Sequence, residues 1–267
     1  MIELKSVSGS FGAGAVSDVS FRLPNGKTYG VFSPRYVDAI CFLSLMSGAR
    51  TPTSGTVLAG GFDLHREARQ ARRGIGFLPA DLLPDEELTP IEYLMSVADA
   101  RELNYDKTLR YAHELLELAD LADKKDRIIA NLSHGEGRML SLLQAVLGKP
   151  EILILTSPLS GLTPKDAQKM RDLIGYLGDT YTIFVCTPVA KDLCEMCDEI
   201  LVLQDGEPKT VTAATADELL AEYANAPAKV TVTPDEPQKP KRSRWAMLTE
   251  KSSDYEVLDT DKKEGKH

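Results

Sequence analysis

Short apolar runs alternate with amphipathic stretches along the first 224 residues, an order typical of an α/β domain. Runs of strand length fall at 2–7, 16–23, 27–32, 56–59, 74–79, 152–155, 182–186 and 200–203. The run at 152–155 (ILIL) has no polar position, which indicates a parallel strand covered on both faces. The pattern therefore predicts a largely parallel sheet.

Helical periodicity is predicted between these strands, at 40–46, 89–122, 133–148, 164–177 and 217–223. Thr89 and Glu92 have the spacing of a capping box, and Pro90 stands at the first helical position. Ser133 and Glu136 have the same spacing. The segment 66–73 is basic and polar and receives no element.

Composition narrows the class of protein. The formal charge of −9 over 267 residues does not indicate a nucleic-acid partner. No apolar run approaches the roughly 20 residues that span a bilayer, and the first residues lack the basic and apolar regions of a signal peptide. Cys194 and Cys197 form a C-x-x-C without a second pair, so no metal site is predicted and two half-buried thiols are favoured.

The composition changes after about residue 225. We predict one domain at 1–225 and a charged, disordered tail at 226–267, which is rich in Pro, Lys, Glu, Asp and Ser. A basic cluster in the tail consists of Lys239, Lys241, Arg242, Arg244 and Trp245. Two interpretations stay open for it, a weak contact with anionic lipid and a solvated charge run.

Residues 27–46 have the frame of a phosphate-binding loop, in which a buried strand precedes G-x-x-x-x-G-K-[ST] and a helix follows. The eight loop positions are Ser33, Pro34, Arg35, Tyr36, Val37, Asp38, Ala39 and Ile40, followed by Cys41. None of the glycines, the lysine or the terminal hydroxyl of that motif is present. Arg35 occupies an ordinary loop position.

Further blocks follow this frame in a fixed order: PTSG at 52–55, GIGFLP at 74–79, LTPIEYL at 88–94, LSHGE at 132–136, ILILTSPLSGLTP at 152–164 and CDEILVLQDGE at 197–207. Together they resemble the nucleotide-binding domain of ABC transporters over residues 2–224. The resemblance implies a P-loop NTPase-like α/β fold with a mixed or parallel sheet, a small antiparallel β part and a helical subdomain at about 81–140. It also implies ATP and Mg²⁺ as cofactors.

The resemblance assigns roles that the loop residues no longer fit. Tyr36 and Asp38 stand where the family has glycine, and a Cβ there obstructs the approach of backbone N–H groups to phosphate. Ala39 replaces the phosphate-binding lysine, and Ile40 replaces the hydroxyl that holds Mg²⁺. A lost charged hydrogen bond of about 1.5–3 kcal/mol, with about 4 kcal/mol of repulsion from Asp38, predicts roughly four decades of lost affinity.

The other motifs depart in the same way. Ala80 replaces the Q-loop glutamine, and Pro188 replaces the histidine that contacts the γ-phosphate. Thr156 replaces the Walker B aspartate, and Ser157 replaces the glutamate base, a role for which a serine hydroxyl is poorly suited at neutral pH. Thr163 replaces the D-loop aspartate. No catalytic residue is therefore predicted to be retained.

The signature motif, by contrast, is largely kept. It consists of Leu132, Ser133, His134, Gly135 and Glu136, and the D-loop consists of Ser160, Gly161, Leu162 and Thr163. In the family, two such domains pair head to tail and each gives its signature to the partner's site. Ser133 is interpreted either as a plain helix cap or as a ligand for a partner's nucleotide. Phe11 is interpreted either as the family's adenine-stacking aromatic or as a packed loop residue.

The leading prediction is a catalytically degenerate ATP-binding subunit of an ABC transporter, with weak or absent MgATP binding. Its partners would be a second nucleotide-binding domain and a transmembrane permease, which would hold it at the cytoplasmic face of the membrane. One alternative is an active ATPase with an unorthodox site. Another is an interaction protein that uses the fold without transport.

Overall fold

The computed structural model describes residues 1–204 and 207–211. The helix predicted at 217–223 and the tail at 226–267 with its basic cluster lie outside the described residues. The strands are β1 (Ile2–Phe11), β2 (Gly14–Leu23), β3 (Thr28–Phe32), β4 (Ser54–Ala59), β5 (Phe62–Asp63), β6 (Ile75–Leu78), β7 (Ile152–Thr156), β8 (Thr182–Cys186), β9 (Glu199–Gln204) and β10 (Glu207–Val211).

The described strands form two sheets. A four-stranded antiparallel sheet has the order β2-β1-β4-β5, and a six-stranded sheet has the order β10-β9-β3-β8-β7-β6. In the larger sheet only the β9–β10 pair is antiparallel among the described strands. Strands β3, β7 and β8 are buried at every position, as their largely apolar sequences favour. The predicted α/β class, with a small antiparallel part, is confirmed.

The helices are α1 (Tyr36–Met46), α2 (Ala68–Arg73), α3 (Pro90–Ala100), α4 (Tyr105–Leu118), α5 (His134–Val146), α6 (Pro164–Gly178) and α7 (Ala190–Met196). Both predicted capping boxes are confirmed, at Thr89 before α3 and at Ser133 before α5. The basic segment that received no element contains α2. One apolar core lies between α1 and the two sheets, and a second lies among α3, α4, α5 and α6 on the other face of the larger sheet.

The first helix differs from its prediction. The sequence predicts it at 40–46, but it begins at Tyr36, so only residues 33–35 separate it from β3. The Asp38 N–H donates to the Arg35 carbonyl at 2.7 Å, which closes the first turn. Because the segment has no glycine to favour an open loop, the motif positions from Tyr36 onward continue into the helix. Motif positions 36–40 therefore belong to the first turns of α1 and not to a loop.

Candidate nucleotide site

The degenerate motifs meet at one edge of the larger sheet. Parallel strands β3, β8, β7 and β6 are neighbours, so the segments that follow them share the carboxyl edge, where open α/β sheets bind ligands. The loop at 33–35 follows β3, Ser157 follows β7, Pro188 comes after β8, and Ala80 comes after β6. The predicted site residues of four motifs are thus brought together, although none has the chemistry that its position requires.

Tyr36 crosses this edge. Its hydroxyl is hydrogen-bonded to the Ser157 hydroxyl, and the Cys186 thiol donates to the Tyr36 oxygen at 3.7 Å. Burial raises the pKa of Tyr36 well above its ordinary value and raises the pKa of Cys186 to about 11. The phenol and the thiol are therefore neutral at pH 7. A phenol ring from the phosphate-binding loop and a hydroxyl from the Walker B position are joined to each other directly.

The end of β7 carries no carboxylate. The Thr156 side chain is 1% exposed, and its hydroxyl has no hydrogen-bond partner among the described residues. Ser157 has a φ of 49°, and its N–H donates to the Cys186 carbonyl at 2.9 Å. The part of the chain that the structure describes contains no group of three or more metal-ligating side chains. Mg²⁺ prefers carboxylate and water oxygens, so these residues do not fit it.

Asp38 and Arg35 both bind the β1–β2 hairpin. The Asp38 carboxylate accepts from the Ala15 N–H at 2.8 Å, and the Arg35 guanidinium donates to the Ala13 carbonyl. The two side chains also form an ion pair at 3.7 Å. Arg35, which the sequence placed at an ordinary loop position, therefore has a defined structural partner. Instead of facing an open cradle, the two charges hold the hairpin against the start of α1.

The next three residues face the core or its border. Ala39 and Cys41 are buried, and Ile40 is half-buried against the same apolar core. The Cys41 thiol donates to the Gly9 carbonyl at 3.8 Å. The positions where the family has a lysine and a hydroxyl are therefore part of the packing of α1 against the sheets.

Phe11 lies at the end of β1 and is 41% exposed. The Arg50 guanidinium carbon is 3.9 Å from the ring centroid, which is a cation–π contact. One face of the ring is therefore occupied by a neighbour of the same chain. A role in adenine stacking stays a prediction, and it would use the other face or require Arg50 to move.

Ser133 caps α5 and lies on the surface. Its hydroxyl accepts from the Glu136 N–H at 3.2 Å, and the Glu136 carboxylate accepts from the Ser133 N–H at 3.0 Å. Burial opposes ionisation of Glu136, but hydrogen bonds from Lys124 and Ser133 outweigh it and lower the pKa of Glu136. The helix-cap interpretation is confirmed, and the exposed position also leaves Ser133 accessible to a partner.

The D-loop packs beneath the signature motif. Gly161 has a φ of 73°, and a Cβ at this position would lie 2.9 Å from the His134 Nε2 atom.

Thr163 caps α6 by accepting from the Asp166 N–H at 3.2 Å, and a Cβ on Gly135 would lie 2.6 Å from the Asp166 Cγ atom. The starts of α5 and α6 are thus adjacent. Leu132 and Leu162 are half-buried against the core, and the Ser160 N–H donates to the Ser157 carbonyl.

Sequence reasoning missed Arg138, which is buried behind this edge. Its guanidinium donates to the carbonyls of Pro79, Leu82, Thr156 and Ser157 at 3.1–3.2 Å. The signal in the sequence was its position four residues before Leu142 on the apolar side of the predicted helix, where a charge requires buried partners. The segment after β6 and the end of β7 therefore share one hydrogen-bond donor, the Arg138 guanidinium.

Two further expectations concern other surfaces. Cys194 and Cys197 are half-buried free thiols, as the simpler interpretation predicted. No helix within the described residues is long and apolar enough to cross a bilayer.

The fold and the arrangement of these motifs define a nucleotide-binding cassette. Residues 16–160 match the sequence profile of the ABC transporter family, and the chain belongs to this family. The solved structures support the fold. An ATP-binding subunit of an ABC transporter superimposes with a TM-score of 0.71 at 22% identity, covering 84% of this chain and 100% of its own. A dimeric bacterial ABC transporter cassette gives 0.68 at 21%, covering 79% and 98%.

Curated relatives are similar over most of the described residues. The linearmycin resistance ATP-binding protein LnrL of Bacillus subtilis is 25% identical over 78% of this chain and 67% of its own length. The daunorubicin resistance ATP-binding protein DrrA3 of Streptomyces coeruleorubidus is 30% identical over 78% and 66%. The Nod factor export ATP-binding protein I of Rhizobium meliloti is 30% identical over 77% and 62%. The chain thus spans about two thirds of the length of these relatives.

Proposed function

We propose that this protein is a non-catalytic ATP-binding-cassette subunit of an ABC transporter, which binds MgATP weakly or not at all and does not hydrolyse it. The observation that carries the proposal is the hydrogen bond between Tyr36 and Ser157. It joins the phosphate-binding loop to the Walker B position, across the edge where a nucleotide's phosphates would lie. Binding would require this contact to open without any new charged hydrogen bond to replace it.

Three further features support the proposal. Arg35 and Asp38 offer no free charge to a phosphate, because they pair with each other and bind the β1–β2 hairpin. Position 39 offers no cation, because it is an alanine, and its burial leaves no space for a longer side chain. Thr156 and Ser157 give neither a metal ligand of the required charge nor a base. The subunit would act as a scaffold or regulatory half, in a dimer with a competent subunit and bound to a permease at the cytoplasmic face of the membrane.

Calorimetric titration of the purified chain with MgATP tests this proposal. We expect no saturable heat up to millimolar nucleotide and no phosphate release above that of buffer. A related ATP-binding subunit with an intact phosphate-binding loop, titrated in parallel, is the positive control. Micromolar binding, or turnover that Ser157→Ala and Thr156→Ala abolish, would overturn the proposal and favour an active ATPase with an unorthodox site.

A role for Ser133 in the partner's site follows from the same proposal and has a matched control within the chain. Ser133 and Thr89 head equivalent capping boxes, so replacing either with alanine should cost about 1 kcal/mol of stability. Only Ser133→Ala should lower ATP turnover of the assembled complex, by about ten- to a hundredfold, the value of one charged hydrogen bond. The measurement is phosphate release by the complex with a competent subunit.

Equal turnover in the Ser133→Ala and Thr89→Ala complexes would restrict Ser133 to its capping role. If no permease or competent subunit associated with the chain, the third interpretation would be favoured, an interaction protein that uses the fold without transport. Pull-down from membranes of cells that express candidate permeases distinguishes these outcomes.

A further inference from the structure

We propose that a ladder of three polar side chains on α5 fixes the Q-loop segment and the Walker B end in one arrangement without nucleotide. The polar ladder consists of Arg138, Ser141 and Gln144, spaced three residues apart. Arg138 donates to the carbonyls of four residues in two separate segments. Ser141 and Gln144 each donate to a carbonyl in the first of these segments, 77–82. The polar ladder would make the shape of this edge a property of the chain itself.

The contacts follow β6 and the residues after it in order. The Gln144 amide donates to the Phe77 carbonyl at 2.9 Å. The Arg138 guanidinium donates to the Pro79 carbonyl at 3.1 Å and to the Leu82 carbonyl at 3.2 Å. The Ser141 hydroxyl shares its one proton between the Gly137 carbonyl of its own helix at 3.0 Å and the Leu82 carbonyl at 3.3 Å. Side chains at i, i+3 and i+6 lie on one side of a helix, so α5 presents a continuous row of donors to this segment.

Arg138 also joins the segment to β7. Its second terminal nitrogen donates to the carbonyls of Thr156 and Ser157, each at 3.2 Å. A single planar guanidinium therefore spans the ends of two neighbouring strands, a geometry that its rigid fork of donors permits and that a lysine ammonium does not.

Burial makes this arrangement hard to open. Arg138 is 2% exposed and forms no ion pair with a carboxylate within the described ranges 1–204 and 207–211. The carbonyl dipoles are its close partners, while Asp81 favours the charged form from a greater distance. Moving either segment away would leave a buried charge with fewer partners, which is strongly unfavourable. The two segments are therefore held together by the same group.

The polar ladder also fixes the position of the start of α5, where the signature motif lies. Ser133 caps the helix that carries the ladder, so its position relative to the sheet edge is fixed by the same contacts. Ala80, within the held segment, has no side-chain polar group that could respond to a phosphate. We infer that the chain presents its signature in one preset orientation. The use of that orientation by a partner rests on the proposed function, whereas the ladder itself does not.

Hydrogen exchange by mass spectrometry on the full chain tests the ladder. We expect peptides covering 79–88 and 156–160 to exchange slowly, and 5 mM MgATP, on the order of cellular levels, to leave their rates unchanged. In Arg138→Met their exchange should rise by about tenfold or more, the equivalent of at least one charged hydrogen bond. Arg138→Lys should give an intermediate rise, and Ser141→Ala a smaller one.

Arg171→Met is the matched control, because Arg171 is a half-buried arginine on α6 that pairs with Asp192 and Glu195. It should leave the exchange of 79–88 unchanged. If Arg138→Met does not fold, Arg138→Lys and Ser141→Ala carry the test. Unchanged exchange in every folded ladder variant would overturn the ladder, and so would slowing of the wild-type peptides by MgATP. Calorimetric MgATP binding with no change in these peptides would overturn the non-catalytic function alone.

Discussion

Restoring the family's lysine at position 39 is expected to unfold part of the protein and to give no nucleotide site. Ala39 is fully buried in the apolar core between α1 and the two sheets. Ala39→Lys would add a long cationic side chain to this apolar core, and both overpacking and charge burial are unfavourable. We expect the free energy of unfolding to fall by about 3 kcal/mol or more. Denaturant titration followed by circular dichroism measures it.

Val37→Lys is the matched control for this prediction. Val37 lies two residues earlier on the same helix and is 39% exposed, so a lysine there can reach water. Its effect on the free energy of unfolding should stay within about 0.5 kcal/mol. If Ala39→Lys were as stable as Val37→Lys and bound MgATP, position 39 would be open to the site, and our account of α1 would be wrong.

The same position shows where sequence reasoning ends. The absence of a lysine at position 39 can be seen in the motif, and it implies weak phosphate binding. That the position faces the core cannot be seen there, because the sequence predicts that α1 begins at residue 40. Starting the helix at Tyr36 changes which positions face inward. Comparison of the sequence with the motif thus predicts the loss of phosphate binding. Whether a lysine at position 39 could restore it depends on the local backbone.

Elements whose causes are local were predicted well. The capping boxes at Thr89 and Ser133 need residues only three positions apart, and both form. The buried strands β7 and β8 were recognisable from uninterrupted apolar runs, and their predicted bounds agree to within one residue. Such signals lie within a few residues and do not depend on the rest of the fold.

Contacts between distant residues were not predicted. Tyr36 and Ser157 are 121 positions apart, and nothing in either neighbourhood indicates the other. In the sequence, each residue was noted only for the family residue that it replaces. The structure shows that the two replacement side chains are hydrogen-bonded to each other. Arg138 is a similar case, since its carbonyl partners have no side-chain signature. The sheet order, which places β3, β8, β7 and β6 side by side, brings these groups together.

A methyl group added at Gly76 should strongly disturb the packing of α5 against β6. It lies in β6 directly beneath α5, and a Cβ there would be 2.1 Å from the Ala145 carbonyl oxygen and 2.7 Å from the Leu153 Cδ2 atom. The carbonyl belongs to the helix backbone and cannot move alone. Gly76→Ala should therefore push α5 away from the strand and lower the free energy of unfolding by about 3 kcal/mol or more.

Gly175→Ala tests whether this cost comes from close packing. Gly175 lies in α6, where an added Cβ would meet no atom within 4 Å, so alanine there should stabilise the helix by about 0.5–1 kcal/mol. The two glycine variants should thus shift the unfolding midpoint in opposite directions. Because α5 carries Arg138, Gly76→Ala should also speed hydrogen exchange at 79–88, which Gly175→Ala should not. A stable Gly76→Ala protein with unchanged exchange would show that α5 and β6 can separate enough to accept a methyl group. The polar ladder would then not depend on their close packing.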